Sequence, residues 1–366
     1  MFIVEERSRL IPSAVRQIPL EGVAVHDVFE RPLRSLRVSV TDRCNLRCVY
    51  CMPEEEYSWL PREELLSLDE LARLVDVFTE LGVTRVRITG GEPLLRPGLD
   101  GLVRVLAANP RIEDLALTTN GVLLAEQAEG LRRAGLDRIT ISLDTLIPER
   151  FLTMARRDNH ARVLAGIAAA RRAGLKGTKL DTVVIRGMND DELVNLIEFG
   201  RSNSVEVRFI EYMDVPGATK WVTEKVVSCT EILARLELHY GQIAAITEDT
   251  SAPAARFRLP NGAVFGIIAS TTMPFCERCD RSRLTADGMW YRCLYATAGT
   301  DLRHLLRNGA PHEEVSAKLA ALIRDGWQGR KDCGAEQRKA DRFRGAFVPI
   351  DGLRRDLHFE MHTRGG

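Results

Sequence analysis

A strand pattern and a cysteine motif meet in one stretch of the chain, Leu36-Arg-Val-Ser-Val-Thr41-Asp-Arg-Cys44-Asn-Leu-Arg-Cys48-Val-Tyr-Cys51. The first part of this stretch alternates apolar and polar side chains, which is typical of a half-buried β-strand. Three cysteines follow with the spacing C-x3-C-x2-C. They therefore lie in the loop that leaves the strand, and such loops carry the functional groups of parallel α/β barrels.

Strand and helix patterns alternate from this stretch onward. Ser67-Leu-Asp-Glu70 has the form of a capping box, and the residues after it show the apolar spacing of a helix that ends at Gly82. Because helices separate the predicted strands, we expect right-handed crossovers and a parallel sheet. The further strands are predicted at 85–89, 114–119, 138–142, 178–185 and 205–213, and the further helices at 99–108, 123–134, 160–173 and 190–201.

Six strand–helix units are fewer than the eight of a complete TIM barrel. We therefore predict an α/β protein with an incomplete, TIM-like (β/α)6 barrel, closed by a C-terminal α+β region that carries a second metal cluster. The predicted organisation is a loose N-terminal extension over 1–21, the partial barrel over 22–235, and the C-terminal region with a Gly-Gly tail over 236–366.

The composition excludes several classes of protein. Hydrophobic residues make up 45% and charged residues 28% of the 366 residues, which are ordinary values for a globular chain. Lys+Arg and Asp+Glu number 51 each, so a protein that coats nucleic acid or anionic lipid is not expected. The apolar runs are too short to span a bilayer, and the N-terminus has no apolar signal region. We predict a cytoplasmic protein with no nucleic-acid and no membrane partner.

The first triad, Cys44, Cys48 and Cys51, predicts a metal cluster. Thiolates bind zinc and iron–sulfur clusters, and clustered cysteines in a reducing compartment favour metal over disulfides. A structural zinc ion would need a fourth protein ligand, and no His or Cys lies close downstream. A four-iron cluster held by three cysteines keeps one iron open to a small molecule.

A second triad, Cys276, Cys279 and Cys293, has the spacing C-x2-C-x13-C. Zinc completed by Cys333 or Cys229 is one interpretation of this triad. An auxiliary cluster with an open iron is the other, and Cys229 and Cys333 are then ordinary thiols.

Basic residues in the predicted strands indicate an anionic ligand. Lys179 lies inside a strand, and a buried lysine without a partner is costly. Arg281 and Arg283, two residues apart, point to the same side of an extended segment, and guanidinium groups suit phosphate oxygens. Arg37, Arg87 and Arg208 also occupy strands that line the barrel.

A solvated surface pair is the alternative for Arg281 and Arg283. Salt bridges to Glu211 or Asp144 are the alternative for some of the other cations.

The first triad resembles the motif of the radical S-adenosylmethionine (SAM) superfamily, whose open iron chelates SAM. The segment Thr89-Gly90-Gly91-Glu92-Pro93 resembles the superfamily's glycine-rich contact to SAM, and two glycines allow a close backbone approach. The resemblance implies SAM contacts at four positions: Tyr50, Gly91, Ser142 and Met213.

From about residue 22 to the end, the chain resembles the GTP 3′,8-cyclases of molybdenum cofactor biosynthesis, the molybdenum cofactor biosynthesis protein A family. The resemblance lies in the segment 31–53, Arg87-Ile-Thr-Gly-Gly-Glu-Pro-Leu, Leu117-Thr-Thr-Asn-Gly, Arg208-Phe-Ile-Glu-Tyr-Met-Asp-Val, the second triad with its Arg-Ser-Arg, and Gly365-Gly366. It implies two [4Fe–4S] clusters, on Cys44, Cys48 and Cys51 and on Cys276, Cys279 and Cys293. It implies GTP contacts at Arg37, Arg87, Thr118, Lys179, Arg281, Ser282 and Arg283.

The resemblance also implies a reaction and its partners. A 5′-deoxyadenosyl radical takes the 3′ hydrogen of GTP, the C3′ radical attacks guanine C8, and 3′,8-cyclo-7,8-dihydro-GTP results. A flavodoxin- or ferredoxin-type protein supplies electrons, and cyclic pyranopterin monophosphate synthase takes the product. A homodimer is compatible with this picture.

Two positions depart from the family pattern, and two alternatives stay open. Asp181 stands where the resemblance leads us to expect Asn, and the tail from Met361 matches only in its two glycines. The alternatives are another two-cluster radical SAM enzyme, for example one that modifies peptides, and a zinc-stabilised binding protein without catalysis.

Overall fold

A single twelve-stranded sheet organises the chain in the computed structural model, which describes residues 24–341 and 344–365. The extension predicted over 1–21 lies outside the described residues. The strands, in chain order, are β1 Ser35–Ser39, β2 Arg85–Thr89, β3 Asp114–Thr119, β4 Arg138–Ser142, β5 Lys179–Val184, β6 Glu206–Glu211, β7 Ala244–Ile246, β8 Ala255–Arg258, β9 Val264–Ile268, β10 Arg281–Leu284, β11 Met289–Tyr291 and β12 Thr300–Asp301.

Twelve helices are found in the described part of the chain. The predicted helices between strands are all present, with ends that differ by a few residues at most. The helices are α1 Leu68–Glu80, α2 Leu99–Ala107, α3 Leu124–Ala134, α4 Pro148–Ala155, α5 His160–Arg172, α6 Leu193–Asn203, α7 Cys229–Tyr240, α8 Arg303–Leu306, α9 His312–Gln328, α10 Gly334–Ala340, α11 Ile350–Arg355 and α12 Met361–Arg364.

The sheet contains eight adjacent parallel strands, in the order β10-β1-β2-β3-β4-β5-β6-β9. The six strands predicted from the alternation form its centre. The C-terminal region adds β10 beside β1 and β9 beside β6, so it supplies one parallel strand to each edge. Antiparallel hairpins then extend both edges, with β11 and β12 on one side and β8 and β7 on the other.

The sheet is open, so the prediction that the C-terminal region closes the barrel is wrong. Its outermost strands, β12 and β7, are the two ends of the strand order and do not pair with each other. The reason is that the C-terminal strands come in two separate hairpins, each of which binds to a different edge of the parallel sheet. The alternation of strands and helices could not reveal this pairing.

Local sequence explains the helix that covers the start of the sheet. Ser67 accepts a hydrogen bond from the Glu70 N–H at 3.1 Å, and Glu70 accepts one from the Ser67 N–H at 2.7 Å, so the predicted capping box is present. The apolar side of α1 is fully buried, with Leu71, Leu74 and Phe78 at 0% exposure. Each such side chain contributes about 1.5–3 kcal/mol through burial. Among the described residues, none of the helices combines the length and the apolar character that a membrane span needs.

Candidate active site

The first triad lies in the loop after β1, at the carboxyl end of the sheet. Arg47 and Val49 fix this loop through backbone N–H groups that donate to the Ala155 and Met154 carbonyls of α4, both at 2.9 Å. Burial raises the pKa of Cys44 to about 11, and burial together with nearby acidic groups and thiols raises those of the other two cysteines further. Three thiols that interact electrostatically with one another fit the ligand set of an iron cluster, which would displace their protons on binding.

Gly90 and Gly91 support the loop that carries this triad. The Gly91 N–H donates to the Thr41 carbonyl at 2.8 Å, and a Cβ at Gly91 would lie 2.4 Å from the Arg43 carbonyl oxygen. Gly90 has φ +151°, and its Cβ would lie 2.5 Å from the Thr41 carbonyl oxygen. The two glycines are therefore needed for packing against the cysteine loop, in addition to the predicted approach to SAM.

Glu92 and Asn120 connect the ends of β2 and β3 to this loop. Glu92 is fully buried and accepts hydrogen bonds from Thr119 Oγ1 and the Asn120 N–H, both at 2.7 Å, and burial raises its pKa to about 7. Asn120 Nδ2 donates to Asn45 Oδ1 at 2.7 Å and lies 3.8 Å from Cys44 Sγ. Neither residue was given a role from the sequence, although both stand inside the quoted motifs.

The four residues predicted to contact SAM lie at the carboxyl ends of β1, β2, β4 and β6 or in the loops that follow. Tyr50 donates its hydroxyl to Asp144 Oδ2 at 2.8 Å. Burial raises the pKa of Asp144 to about 6, and its other oxygen accepts from the Val183 N–H at 2.9 Å. Tyr50, Gly91, Ser142 and Met213 remain predicted SAM contacts, and Asp144 joins them as the residue that orients Tyr50.

N–H groups surround the sulfurs of the second triad. The start of α10 provides most of them, because the Ala335 and Glu336 N–H groups donate to Cys276 and the Gly334 N–H to Cys293. A Cβ at Gly334 would lie 3.1 Å from Cys293 Sγ, so the backbone comes close to this sulfur. Hydrogen bonds to sulfur are characteristic of iron–sulfur sites. These residues therefore fit a second cluster.

Arg281 joins the second triad to the interior of the sheet. Its Nη2 lies 3.5 Å from Cys279 Sγ, and its guanidinium stacks on Phe275 at 4.6 Å. Although burial raises the pKa of the Cys279 thiol, the positive charges of Arg281 and Arg330 lower it to about 6. Cys279 is the thiol of this triad that is most readily available as a thiolate ligand.

Three arginines stand side by side across three neighbouring parallel strands. Arg37 of β1 is in register with Arg283 of β10 on one side and with Arg87 of β2 on the other. Burial and the other arginines lower the pKa of Arg37 and Arg87 to about 9 and that of Arg283 to about 10. Like charges directly opposite each other destabilise a sheet. This arginine row (Arg37, Arg87 and Arg283) is therefore a site that an anion would stabilise.

Lys179 and Asp181 of β5 lie further round the same sheet. Burial and the charges of Arg208 and Arg138 lower the pKa of Lys179 to about 8. Burial raises the pKa of Asp181, although the charges of Arg208, Arg87 and Arg37 oppose this. Its Oδ1 is buried without a hydrogen-bond partner among the described residues. One carboxylate thus faces several cations, which reduces the local positive charge without cancelling it.

The salt bridges proposed as an alternative for the strand cations do not involve Glu211 or Asp144. Glu211 is fully buried and accepts from the N–H groups of Cys229, Thr271 and Thr272 at 2.8–2.9 Å. Asp144 accepts hydrogen bonds from the Tyr50 hydroxyl and the Val183 N–H. Arg208 pairs instead with Glu206 of its own strand at 3.1 Å. The salt-bridge alternative is correct for Arg208, but the carboxylate is that of Glu206 and not that of Glu211 or Asp144.

Of the two hydroxyl residues predicted to contact GTP, Thr118 is hydrogen-bonded to an arginine of the row and Ser282 is not. Thr118 Oγ1 accepts a hydrogen bond from Arg87 Nη1 at 3.1 Å, so it is in direct contact with the arginine row. Ser282 lies between Arg281 and Arg283, and by strand alternation its side chain points to the opposite face. It is fully buried, and its Oγ has no hydrogen-bond partner in the described part of the chain. Only its backbone remains as a predicted contact to GTP.

The C-terminal tail is packed at the carboxyl end of the sheet. Arg283 Nη1 donates to the Gly365 carbonyl, and a Cβ at Gly365 would lie 2.2 Å from Thr89 Oγ1. Arg364 is 1% exposed and donates to the Leu294 and Ala296 carbonyls at 2.7 and 2.8 Å. The tail through Gly365 is therefore part of the site; Gly366 lies outside the described residues.

The two cysteines outside the triads have different surroundings. Cys229 is buried at the start of α7. Cys333 precedes α10, and its Sγ lies 3.7 Å from Arg31 Nη1, close to the second triad. Over residues 24–341 and 344–365, no three His, Cys, Asp or Glu side chains are grouped so as to hold a single metal ion.

Comparison with known proteins finds two family matches, each of which contains one of the two triads. Residues 38–200 match the Radical SAM superfamily, and residues 205–335 match Molybdenum Cofactor Synthesis C. GTP 3′,8-cyclase 1 of Mycobacterium tuberculosis is 55% identical over 95% of this chain and 97% of its own length. The chain belongs to the GTP 3′,8-cyclase family.

Other members of this family are similarly close. GTP 3′,8-cyclase of Streptomyces coelicolor is 50% identical over 79% of this chain and 86% of its own length. The Aquifex aeolicus protein is 43% identical over 93% of this chain and 99% of its own length. Radical SAM cyclases of this family use SAM and [4Fe–4S] clusters, so the predicted cofactors are confirmed.

Solved structures support the fold. Streptococcus suis SuiB, in a crystal structure with S-adenosylmethionine, aligns with a TM-score of 0.55 at 16% identity, over 80% of this chain and 68% of that chain. At this identity the likeness concerns the fold alone. The radical SAM α/β fold predicted from the sequence is thereby confirmed in its coarse form.

Proposed function

We propose that this chain converts GTP to (8S)-3′,8-cyclo-7,8-dihydroguanosine 5′-triphosphate, the first step of molybdenum cofactor biosynthesis. The family relationship supports this assignment over nearly the whole chain. When SAM and the clusters are bound, they supply the radical chemistry that removes a hydrogen atom from the ribose. The protein's own residues bind the nucleotide and keep it in place.

The arginine row is the observation that carries the proposal. Arg283, Arg37 and Arg87 are adjacent in register, and a ligand with several negative charges would reduce the repulsion among them. A triphosphate meets that requirement, and guanidinium groups bind phosphate oxygens in a bidentate manner. A peptide substrate would not, so the row favours the cyclase over a peptide-modifying enzyme.

The position of the row also suggests how the nucleotide is oriented. Arg281 stands two residues before Arg283 and contacts Cys279, so the row begins beside the second triad. A nucleotide bound by the row through its phosphates would be within reach of the second cluster. We therefore keep Arg37, Arg87, Thr118, Lys179, Arg281, the Ser282 backbone and Arg283 as the proposed GTP contacts. The two triads remain the proposed cluster ligands.

The proposal includes two protein partners. Reductive cleavage of SAM needs one electron, for which a flavodoxin- or ferredoxin-type protein is the proposed donor. The cyclised nucleotide is an intermediate, and cyclic pyranopterin monophosphate synthase is the proposed next enzyme.

The decisive experiment is anaerobic reconstitution with iron and sulfide, followed by dithionite, SAM and GTP. We expect 5′-deoxyadenosine and the cyclised nucleotide together, measured by liquid chromatography and mass spectrometry. Deoxyadenosine without any cyclised nucleotide would leave a radical SAM enzyme and refute the cyclase.

A single substitution distinguishes the functions of the two triads. C276A should reduce cyclisation much more than SAM cleavage, because Cys276 belongs only to the second triad. C229A is the matched control, since Cys229 is a buried thiol outside both triads. Equal loss of both activities in C276A would contradict the division of labour between the clusters.

A further inference from the structure

A buried pair of arginines, Arg31 and Arg330, binds the backbone of the second triad. Arg31 precedes β1, and Arg330 follows α9, so the two come from distant parts of the chain. Their side chains are 2% and 1% exposed. Arginine is rarely buried to this extent unless it is paired, so the partners of these two guanidinium groups are informative.

Asp27 is the carboxylate that both arginines share. Its Oδ2 accepts from Arg31 Nε at 2.6 Å and from Arg330 Nη1 at 3.3 Å, and its side chain is completely buried. Its Oδ1 accepts from the Phe29 and Arg31 N–H groups at 2.9 and 3.0 Å, which fixes the turn that presents Arg31. Arg330 Nε also lies 3.9 Å from Oδ2 of the partly exposed Asp332, so Asp27 is the completely buried carboxylate of the two that face these cations.

The two guanidinium groups bind the backbone of the second triad. Arg31 Nη1 donates to the Cys276 carbonyl at 2.8 Å, and Arg330 Nη1 donates to the Cys279 carbonyl at 2.7 Å. Arg31 Nη1 also donates to the Asp332 carbonyl at 3.0 Å. Trp327 stabilises both arginines, because its ring stacks under Arg330 at 4.4 Å and its Nε1 donates to the Arg31 carbonyl at 3.0 Å.

One donor of Arg31 has no use within the protein described. Its Nη2 is buried and has no hydrogen-bond partner among residues 24–341 and 344–365. The neighbouring Nη1 of the same planar group lies beside the Cys276 carbonyl and Cys333 Sγ, and the guanidinium interacts electrostatically with Cys279. A buried donor without a partner is costly. The second triad, whose Cys276 carbonyl binds the same guanidinium, offers sulfur atoms as acceptors for it.

We propose that Arg31 is a positioning residue of the second cluster, that its Nη2 donates a hydrogen bond to a sulfur of that cluster, and that it thereby sets the cluster's reduction potential. The inference rests on the proposed function in one respect, namely that the second triad holds a cluster. Hydrogen bonds and positive charge near the sulfurs stabilise the reduced, more negative state, so they raise the potential. Asp27 orients Arg31, and Arg330 holds the backbone of Cys279.

The test measures the potential of the second cluster alone. The full-length chain with Cys44, Cys48 and Cys51 replaced by Ala is reconstituted anaerobically and titrated by electron paramagnetic resonance, without SAM or GTP. R31Q should lower the equilibrium constant for reduction about tenfold, which corresponds to a midpoint about 59 mV more negative for one electron. R31K keeps the charge without the planar fork and should shift the midpoint by a smaller amount in the same direction.

R34Q is the matched control, because Arg34 is an exposed residue of the same segment and should leave the midpoint unchanged. An unchanged midpoint in R31Q would overturn the proposal. If R31Q assembles no cluster, an unchanged midpoint in R31K would do so.

Assembly gives a further criterion if neither variant of Arg31 retains the second cluster. In the chain with both triads intact, loss of the second cluster with retention of the first would support the proposal. Loss of both clusters would assign Arg31 to the fold alone and overturn it. None of these measurements uses GTP, so a wild-type protein that fails to cyclise GTP would refute the proposed function without affecting this result.

Discussion

Gly91 is required at its position by close contact with the backbone that leads into the first triad. The sequence showed two consecutive glycines at the end of a strand, which predicts a close approach to something. It did not show that the Asp42 and Arg43 carbonyls are part of what they approach, because those residues are adjacent only once β1 and β2 pair. The same pairing explains why Glu92 and Asn120 acquire roles that no local pattern indicated.

Substitution of Gly91 by Ala tests this contact. The new methyl group would lie 2.4–2.5 Å from two carbonyl oxygens, so the cysteine loop must move. We expect about 1–3 kcal/mol of destabilisation and loss of the first cluster, so that iron and sulfide content falls by about half after reconstitution. Iron analysis and SAM cleavage measure this.

G101A is the control for that variant. Gly101 lies in α2, where a Cβ would meet nothing within 4 Å, and Ala favours a helix over Gly by about 1 kcal/mol. It should retain full iron content. A G91A protein with normal iron content and normal SAM cleavage would show that the loop adapts without cost.

The helix α1 is connected to the C-terminal region through its own capping box. Arg307 Nε and Nη2 donate to the two carboxylate oxygens of Glu70 at 2.7 and 2.9 Å, and the hydrogen bonds from Arg307 lower the pKa of Glu70 to about 2. The capping box was predictable because its four residues are contiguous. The partner Arg307 was not, since it directly follows the distant helix α8, whose approach depends on the packing of α9 against α1.

Replacement of Glu70 by Gln should destabilise the protein in a pH-dependent manner. The carboxylate has a lowered pKa in the folded protein, so its contribution is present above about pH 4.5 and is lost as the pH falls towards 2. Because Arg307 is partly exposed, we expect about 1 kcal/mol at pH 7. The midpoint of urea unfolding of the apoprotein at about pH 7 and at about pH 2, below the folded-state pKa, measures it.

E314Q removes a comparable ion pair that is fully on the surface, Glu314 with Lys318. It should change the midpoint very little at either pH. An E70Q difference that is the same at about pH 2 and at about pH 7 would contradict the assignment to Glu70 ionisation.

The molecule as a whole is electrically neutral, and a few of its cations, Arg37, Arg87, Arg283 and Lys179, lie together on one face of the sheet. Composition predicted the neutrality, and the strand positions of the basic residues predicted this grouping. Their mutual register did not follow from the sequence, because β10 pairs with β1 across more than two hundred residues. The row becomes an anion site only through this pairing.

Substitution of Lys179 by Met tests the contribution of this charge to GTP binding. One charge-assisted contact to a phosphate is worth about 1.5–3 kcal/mol, so KM for GTP should rise roughly 10- to 100-fold, with kcat affected less. In the wild type, Lys179 loses its proton as the pH rises through about 8. KM should therefore increase above pH 8, and this increase should be absent in K179M.

R258M is the control, because Arg258 is exposed at the end of β8. It should leave KM and its pH dependence unchanged. Steady-state cyclisation assays between pH 7 and pH 9 make the comparison. An unchanged KM in K179M would remove Lys179 from the proposed GTP site.

Periodicity and contiguous motifs were enough to establish the strands, the helices between them, both cysteine triads and the excess of inward cations. These features depend on side chains that are near one another along the chain, where backbone geometry fixes their relation. The pairing of β10 with β1 and of β9 with β6, the partners of Glu211 and Asp144, and the buried Asp27–Arg31–Arg330 group came only from the folded chain. Each depends on which distant segments pair or pack, and that choice is made by the burial of the whole core rather than by any local pattern.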